Sequence, residues 1–345
     1  MSKLLYMKRG YYPMIKVKKT LKNVQAVDLF CGIGGFRLAL ASFGGKVVFS
    51  SEIDKKTASI YERNFKQAPY GDITEIDANS IPDHDILMAG FPCQPFSISG
   101  KKKGFEDTRG TLFFDIARIA DAKKPKILLL ENVAQLEIHD SGKTISTIIS
   151  TLDSIGYDVH YKLINSSDYG FPQSRKRIYI VCFRKDLGIS NFAFPVPNTT
   201  QQQRYVKDIL CKYGTDSYIL HRDDITITKD DSEMECKERS FRIGFVGGGR
   251  QGERIYSTKG KAVTLTANGG GVGGKCGMYL IDGSVRKLTP RECARLQGFP
   301  ESFKLDVSDN VAYTTLGNSV DVGMVQLIIQ ELTNNESVMR ALQGN

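Results

Sequence analysis

The sequence predicts an α/β protein: a mostly parallel sheet with helices on both faces, interrupted by a smaller, mainly β segment. Three features point there. Short apolar runs of strand length alternate with amphipathic stretches of helical length through the first half of the chain. A linker-like stretch, "NFAFPVPNTTQQQ", then gives way to a glycine-rich region with no helical period. Beyond about residue 289 the helical pattern returns.

Taken in order, "AVDLF" (26–30) has the continuous hydrophobicity of a buried strand. The glycine turn "CGIGGF" follows, then a helical pattern marked by Phe36, Leu38, Leu40 and Phe43. "KVVFS" (46–50) is a second strand ending just before Glu52, and residues 55–65 form a helix. "DILMAG" (85–90) is a buried strand that runs directly into a Pro-Cys-Gln-Pro loop. "TLFFDIARIADA" (111–122) is an amphipathic helix, and "KILLLENV" (126–133) a strand tipped by Glu131 and Asn132. A helix over 143–155 and strands over 157–164 and 178–183 complete this part. In the glycine-rich region "RIGFVGGGRQGERIYS", "AVTLTANGGGVGG" and "GMYLID" have β-like patterns. "LTPRECARLQGF" turns helical again, and residues 320–333 make a closing apolar helix. These changes of texture divide the chain into a discontinuous large lobe, 1–205 and 290–345, and an inserted lobe, 206–289.

With 41% hydrophobic residues the chain has material for a real core, and no apolar run is long enough for a transmembrane helix. The start lacks the apolar stretch of a signal peptide. Seven cysteines are scattered without a CxxC, and there are only four histidines. That pattern points to a reduced, cytoplasmic protein with free thiols and no metal. The net charge of +9 hints at an acidic partner, but seven of those charges lie in residues 1–22, which carry no acid. Met7 and Met14 are alternative starts for that basic arm. Lys101–Lys103, Arg175–Arg177 and the stretch from Lys237 to Lys261 are local basic clusters; a solvated face is the ordinary use of each.

Some constellations carry chemistry. "DLFCGIGGF" closes a strand and opens a helix, so backbone N–H groups and a helix N-terminus face a ligand. It is not GxGxxG, which argues against a dinucleotide oxidoreductase. Glu52 ends the next strand where a ribose-binding acid stands in nucleotide-type folds, and Asp72 follows in "GDIT". Turn, acid and second acid suit a ligand with an adenosine half and no pyrophosphate, as in S-adenosylmethionine (SAM). Pro92 and Pro95 hold Cys93 in a narrow range of backbone shapes. That suits a positioned nucleophile and equally a tight turn. Cys93 and Glu131 both stand at carboxyl ends of predicted parallel strands, the edge where open α/β sheets bind ligands. A thiol and a carboxylic acid there make a nucleophile–acid pair, although a lone strand-end glutamate more often caps a helix or joins an ion pair. In "QSRKRIYIV", strand alternation sends Arg175 and Arg177 to the same side, to hold a phosphate or steady the acid.

These residues resemble the DNA (cytosine-5)-methyltransferase family nearly end to end. The motifs stand in family order: "DLFCGIGGF", Glu52, "GDIT", "GFPCQPFS", "TRGTLFFDIARI", "ENV", "QSRKRIYIV", a variable region, "RKLTPRECARLQGFP" and "GNSV". The resemblance implies a Rossmann-like SAM-dependent methyltransferase sheet carrying an inserted target recognition domain. It implies Cys93 as nucleophile, Glu131 as the acid near N3 of cytosine, and Asn132, Arg175 and Arg177 as their support. Phe30, Gly32, Gly35, Glu52, Ile53, Asp72, Ile73, Pro92 and Asn318 would line the SAM site, with S-adenosyl-L-homocysteine as product and no metal. Where the family often has a large aromatic after the acid, this chain has Ile53. Ser97–Gly110 would be a loop closing over a flipped base, with Lys101–Lys103 meeting phosphates.

The resemblance extends into the variable region through "QGERIYST" and "NGGG". It implies that Gln251 pairs with the guanine orphaned by the flipped cytosine, that Arg254 reads guanine, and that Ser99 approaches from the minor groove. Thr264, Gly269 and Gly270 would let the backbone meet the DNA closely. Asn268 stands where the likeness has an aromatic. The implied target is the first C of GCGC in duplex DNA, with a bare CG or an extended site as alternatives. The expected setting is a monomer of a restriction-modification system; no cognate endonuclease is legible in the chain. A tRNA cytosine-5 methyltransferase of the same fold and a non-enzymatic DNA-binding regulator are the rival readings.

Overall fold

The strand "QAVDL" is buried at four of its five positions and sits inside the larger of two sheets. The structure, a computed structural model, describes residues 17, 19–92, 112–198, 202–269 and 271–344. They cluster into two compact units.

The first unit holds the described residues from 17 to Ile164, Lys176–Pro195 and 325–344. Its sheet comprises β1 (Gln25–Leu29), β2 (Lys46–Ser50), β3 (Ile86–Gly90), β4 (Ile127–Val133), β5 (Tyr157–Asn165) and β6 (Lys176–Arg184), in the order β2-β1-β3-β4-β6-β5. β1 pairs in parallel with β2 and β3, β3 pairs in parallel with β4, and β6 runs antiparallel to β4. The central strands are mainly apolar, as strands covered on both faces are, with Asp28 of β1 and Glu131 and Asn132 at the end of β4 as buried exceptions. Val27, Leu29, Leu87, Ala89, Leu128 and Leu130 cluster with residues of α3 (Leu112–Lys123) and α4 (Lys143–Ser154). The alternate residues Ala26, Met88, Ile127 and Leu129 are buried too. α1 (Gly35–Ser42) and α7 (Val322–Asn334) are tied by a bond from Gln326 Nε2 to Ser42 Oγ of 3.0 Å. α2 (Lys55–Phe65) starts at Asp54, whose carboxylate accepts from Thr57 N at 2.8 Å, and stops at left-handed Lys66. The registers Leu29↔Ala89 and Gly90↔Glu131 bring the carboxyl ends of β1, β3 and β4 to one edge.

The second unit holds Asn165–Arg175 and Val196–Met324. The segment 206–289, expected as an inserted lobe, lies within it together with residues 290–324. Its sheet runs β11-β10-β9-β8-β7, formed by β7 (Ile225–Ile227), β8 (Arg242–Val246), β9 (Arg254–Ser257), β10 (Met278–Ile281) and β11 (Ser284–Lys287). Only the β9–β10 pair is parallel. Ile243, Val246, Ile255, Met278 and Val285 form its core. α5 (Pro290–Leu296) begins with Pro290 at its first turn and a reciprocal cap. Thr289 Oγ1 accepts from Glu292 N at 3.2 Å, and Glu292 Oε2 accepts from Thr289 N at 2.7 Å. The Arg286 guanidinium grips Glu292 with two bonds of 2.7 and 2.8 Å.

α6 (Asp309–Asn318) and α8 (Glu336–Gln343) are helices the sequence pattern did not declare. "AVTLTANGG", expected as β-like, forms only the isolated bridge Gln173↔Ala262. Its polar groups go elsewhere: Thr264 Oγ1 donates to Ser174 O at 2.5 Å, and Leu265 N to Gln173 Oε1 at 2.9 Å. No helix among the described residues is long and apolar enough to cross a membrane.

Candidate active site

At the end of β1 the chain turns through three left-handed residues: Phe30 at φ 52°, Gly32 at φ 55° and Gly34 at φ 92°. Glycine is required at position 34, where a Cβ would run into the rings of Phe65 and Tyr61. Gly35 opens α1. Glu52, beyond β2, locks this turn in place. Its Oε2 accepts from Gly32 N at 3.0 Å and its Oε1 from Asp54 N at 2.8 Å. Burial pushes the Glu52 carboxyl above its ordinary range, while the N–H groups of Asp54 and Gly32 pull the other way. Below the turn, Asp28 is wholly buried; desolvation drives its pKa well up, against the opposing charge of Arg37.

Ile53 is 69% exposed beside this acid, an unusual exposure for isoleucine. Asp72 Oδ1 accepts from Thr74 N and Thr74 Oγ1, both at 2.9 Å, and caps a 3-10 turn. Ile73, by contrast, is 2% exposed and belongs to the core. Its carbonyl and that of Ile76 each accept from Arg118 of α3 at 2.8 Å. Arg118 thus fixes the acidic turn. The sequence reading did not single it out, although it lies inside "TRGTLFFDIARI".

At the end of β4, Glu131 is 7% exposed and Asn132 2%. Arg177 Nε approaches Glu131 Oε1 at 3.0 Å. The contact lacks aligned hydrogen-bond geometry, so it is a charge pairing. Asn132 Nδ2 donates to Phe91 O at 3.0 Å, and its Oδ1 accepts from Val133 N at 2.8 Å. Both bonds run within the strand-end edge, and the first anchors the peptide leading to exposed Pro92. Cys93 itself lies outside the described residues, as do Ser99, Lys101–Lys103, Gly270 and residues 1–16 of the N-terminal basic arm.

Arg175 and Arg177 do not share one set of partners as alternation suggested. β6 begins only at Lys176, so the period does not reach Arg175. In the second unit the Arg175 guanidinium, 2% exposed, donates to Leu265 O and Gly317 O at 3.2 Å and to Ser319 O at 2.6 Å. It organises the residues around Asn318, which ends α6 and is exposed. Gln173, fully buried, adds a second brace missed in the sequence: Nε2 donates to Leu296 O at 3.2 Å while Oε1 holds Leu265 N.

Between β8 and β9, Gly247 and Gly249 take left-handed turns and Gln251 opens a 3-10 turn. Gln251 and Arg254 are exposed. Thr264 spends its hydroxyl on Ser174 O. A Cβ at Gly269 would collide with the Gly274 backbone, so glycine there answers an internal close approach. Among the described residues no group of three or more His, Cys, Asp and Glu is placed to hold a metal.

Residues 24–334 match the family model described as C-5 cytosine-specific DNA methylase. The chain is 50% identical over 317 residues to the type II methyltransferase M.HhaI of Haemophilus parahaemolyticus, covering 91% of this chain and 96% of that protein. It is 43% identical over 318 residues to the type II methyltransferase M.HaeII of Haemophilus aegyptius, covering 91% and 94%. The S. pombe Dnmt2 methyltransferase crystal structure shares the fold at a TM-score of 0.67 and 22% identity, over 90% of this chain and 99% of that one.

Proposed function

The chain belongs to the C-5 cytosine-specific DNA methylase family, and from that premise we propose that it methylates the first cytosine of GCGC in duplex DNA, with SAM as methyl donor, as the modification enzyme of a restriction-modification pair. The observation that carries this reading is the strand-end edge: Glu131 paired with Arg177, next to the Asn132–Phe91 tie that fixes the peptide entering the Cys93 loop.

Cytosine C5 is a poor nucleophile until something adds at C6. The Cys93 thiolate forms the C6–S bond, and Glu131 stabilises the charge that develops at N3 by sharing a proton with it. C5 then becomes the terminus of an enamine. SAM, when bound, supplies the electrophilic methyl group. Loss of the C5 proton to a base breaks the C6–S bond and releases Cys93 as thiolate. Arg177 keeps Glu131 turned to its task. Arg175 acts at one remove, by holding the carbonyls on either side of Asn318. The N-terminus of α1, Glu52, exposed Ile53 and Asp72 suit the cofactor: the first N–H groups of the helix for its amino acid end, carboxylates for the ribose and adenine edges, an apolar face for the ring. Phe30, Gly35 and Pro92 complete that site on the first unit, with the buried Ile73 packed in the core behind it.

On the second unit, Gln251 fills the place vacated by the flipped base and Arg254 reads guanine in the major groove. Ser99, Thr264, Gly269 and Gly270 serve the same interface. Incubation with labelled SAM and either GCGC-containing duplex DNA or tRNA tests the proposal. Label in the duplex alone is expected; label in tRNA alone overturns it.

A further inference from the structure

We propose that Arg250 anchors a DNA backbone phosphate next to the point where Gln251 meets the duplex. The inference rests on the recognition reading above and concerns a residue that reading leaves unused.

Most cations around this hairpin are committed within the protein. Arg242 stacks on Phe245, 5.1 Å from the ring centre, and its Nε donates to Gly244 O at 3.0 Å. Arg222 makes a two-bonded pair with Asp224. Lys259 donates to Ser232 O at 2.5 Å, and Lys237 lies over Phe241. Arg250 is exposed, and its guanidinium has no ion pair or hydrogen bond among the described residues.

Its backbone is nonetheless held firmly. Arg250 N donates to Glu253 Oε2 at 2.8 Å, and Arg250 O accepts from Glu253 N at 2.9 Å. The left-handed turns at Gly247 and Gly249 precede it. On a braced backbone, such a free cation meets a fixed anion without a main-chain ordering cost, so only the rotamer entropy of the side chain is lost. Arg250 is extended, at φ −61° and ψ 175°, and Gln251 starts the 3-10 turn, so the two side chains leave the chain in different directions. With Gln251 in the base stack, the exposed Arg250 beside it is within reach of the sugar–phosphate backbone that edges the stack. Phosphate contacts fix register without carrying sequence.

The test is fluorescence anisotropy with S-adenosylhomocysteine present, on a GCGC duplex and a matched duplex lacking CG, from about 50 to 200 mM salt. Arg250→Ala should weaken both duplexes by the same factor, about fivefold. The slope of log K against log salt should become less negative by about 0.9. Arg250→Lys should restore most of the affinity, because a phosphate accepts a point charge. An unchanged slope, or a loss confined to the GCGC duplex, overturns the proposal. If the wild-type protein binds both duplexes equally, the recognition reading fails by itself, and the slope comparison still decides Arg250.

Discussion

Arg177 Nε lies 3.0 Å from Glu131 Oε1 because the antiparallel β4–β6 register sets Arg177 opposite Val133, two residues beyond Glu131 on the same face. The pair is almost wholly buried, at 14% and 9% side-chain exposure, so each charge depends on the other. Glu131→Gln should lower kcat by about 10²–10⁴-fold while duplex binding survives. Arg177→Met should cost about 3 kcal/mol of stability, since it leaves a buried carboxylate unpaired. Single-turnover kinetics and urea denaturation check the two. A Glu131→Gln enzyme with full kcat would remove Glu131 from the chemistry.

Glu52 braces Gly32 N and Asp54 N, and under the proposed function it also faces the cofactor. Glu52→Ala should weaken SAM binding by about 1.5–3 kcal/mol in calorimetry. Because burial raises the Glu52 pKa above the ordinary 4.5, its carboxylate takes up a proton at a higher pH than an exposed glutamate. SAM affinity should therefore begin to fall above pH 4.5 as the solution is acidified, and Glu52→Gln should flatten that fall. Unchanged affinity in Glu52→Ala would dismiss it as a ligand.

Lys261 is fully buried, donating to Gln203 Oε1 at 2.7 Å and Arg204 O at 2.9 Å. Desolvation lowers its pKa from 10.5 to about 8, opposed by the more distant charges of Glu238, Asp208 and Asp168. The folded state thus binds the proton more weakly than the unfolded state. Stability is penalised in full below pH 8 and recovers as pH rises towards 10.5. Relative to Lys261→Met, the wild-type protein should gain about 3 kcal/mol across that window. Equal pH slopes for the two proteins would contradict the assignment.

Much of the first unit was legible in the sequence, because buried parallel strands appear as unbroken apolar runs ending at Gly, Pro or acid. "DILMAG" and "KILLLENV" are such runs, and residues 55–65 coincide with α2. α6 escaped because "DNVAYTTLGN" mixes polar and apolar residues without a clear face. "AVTLTANGG" misled for a physical reason: its alternation fits a strand, but its bonding partners are Gln173 and Ser174 rather than a ladder. The tie from Asn132 to Phe91 joins residues 41 positions apart, and local pattern carries no trace of it. The separate partners of Arg175 and Arg177 depend on where β6 starts, a boundary that "QSRKRIYIV" does not mark.

The central claim is covalent addition of Cys93 to a cytosine in GCGC. Mass spectrometry of the protein incubated with SAM and a duplex carrying 5-fluorocytosine at the first C of GCGC tests it most directly, since fluorine at C5 cannot leave as a proton does. The account predicts a stable one-to-one protein–DNA adduct mapping to the peptide that contains Cys93, and none with Cys93→Ser. Active enzyme that forms no adduct, or one that maps to another residue, would contradict it.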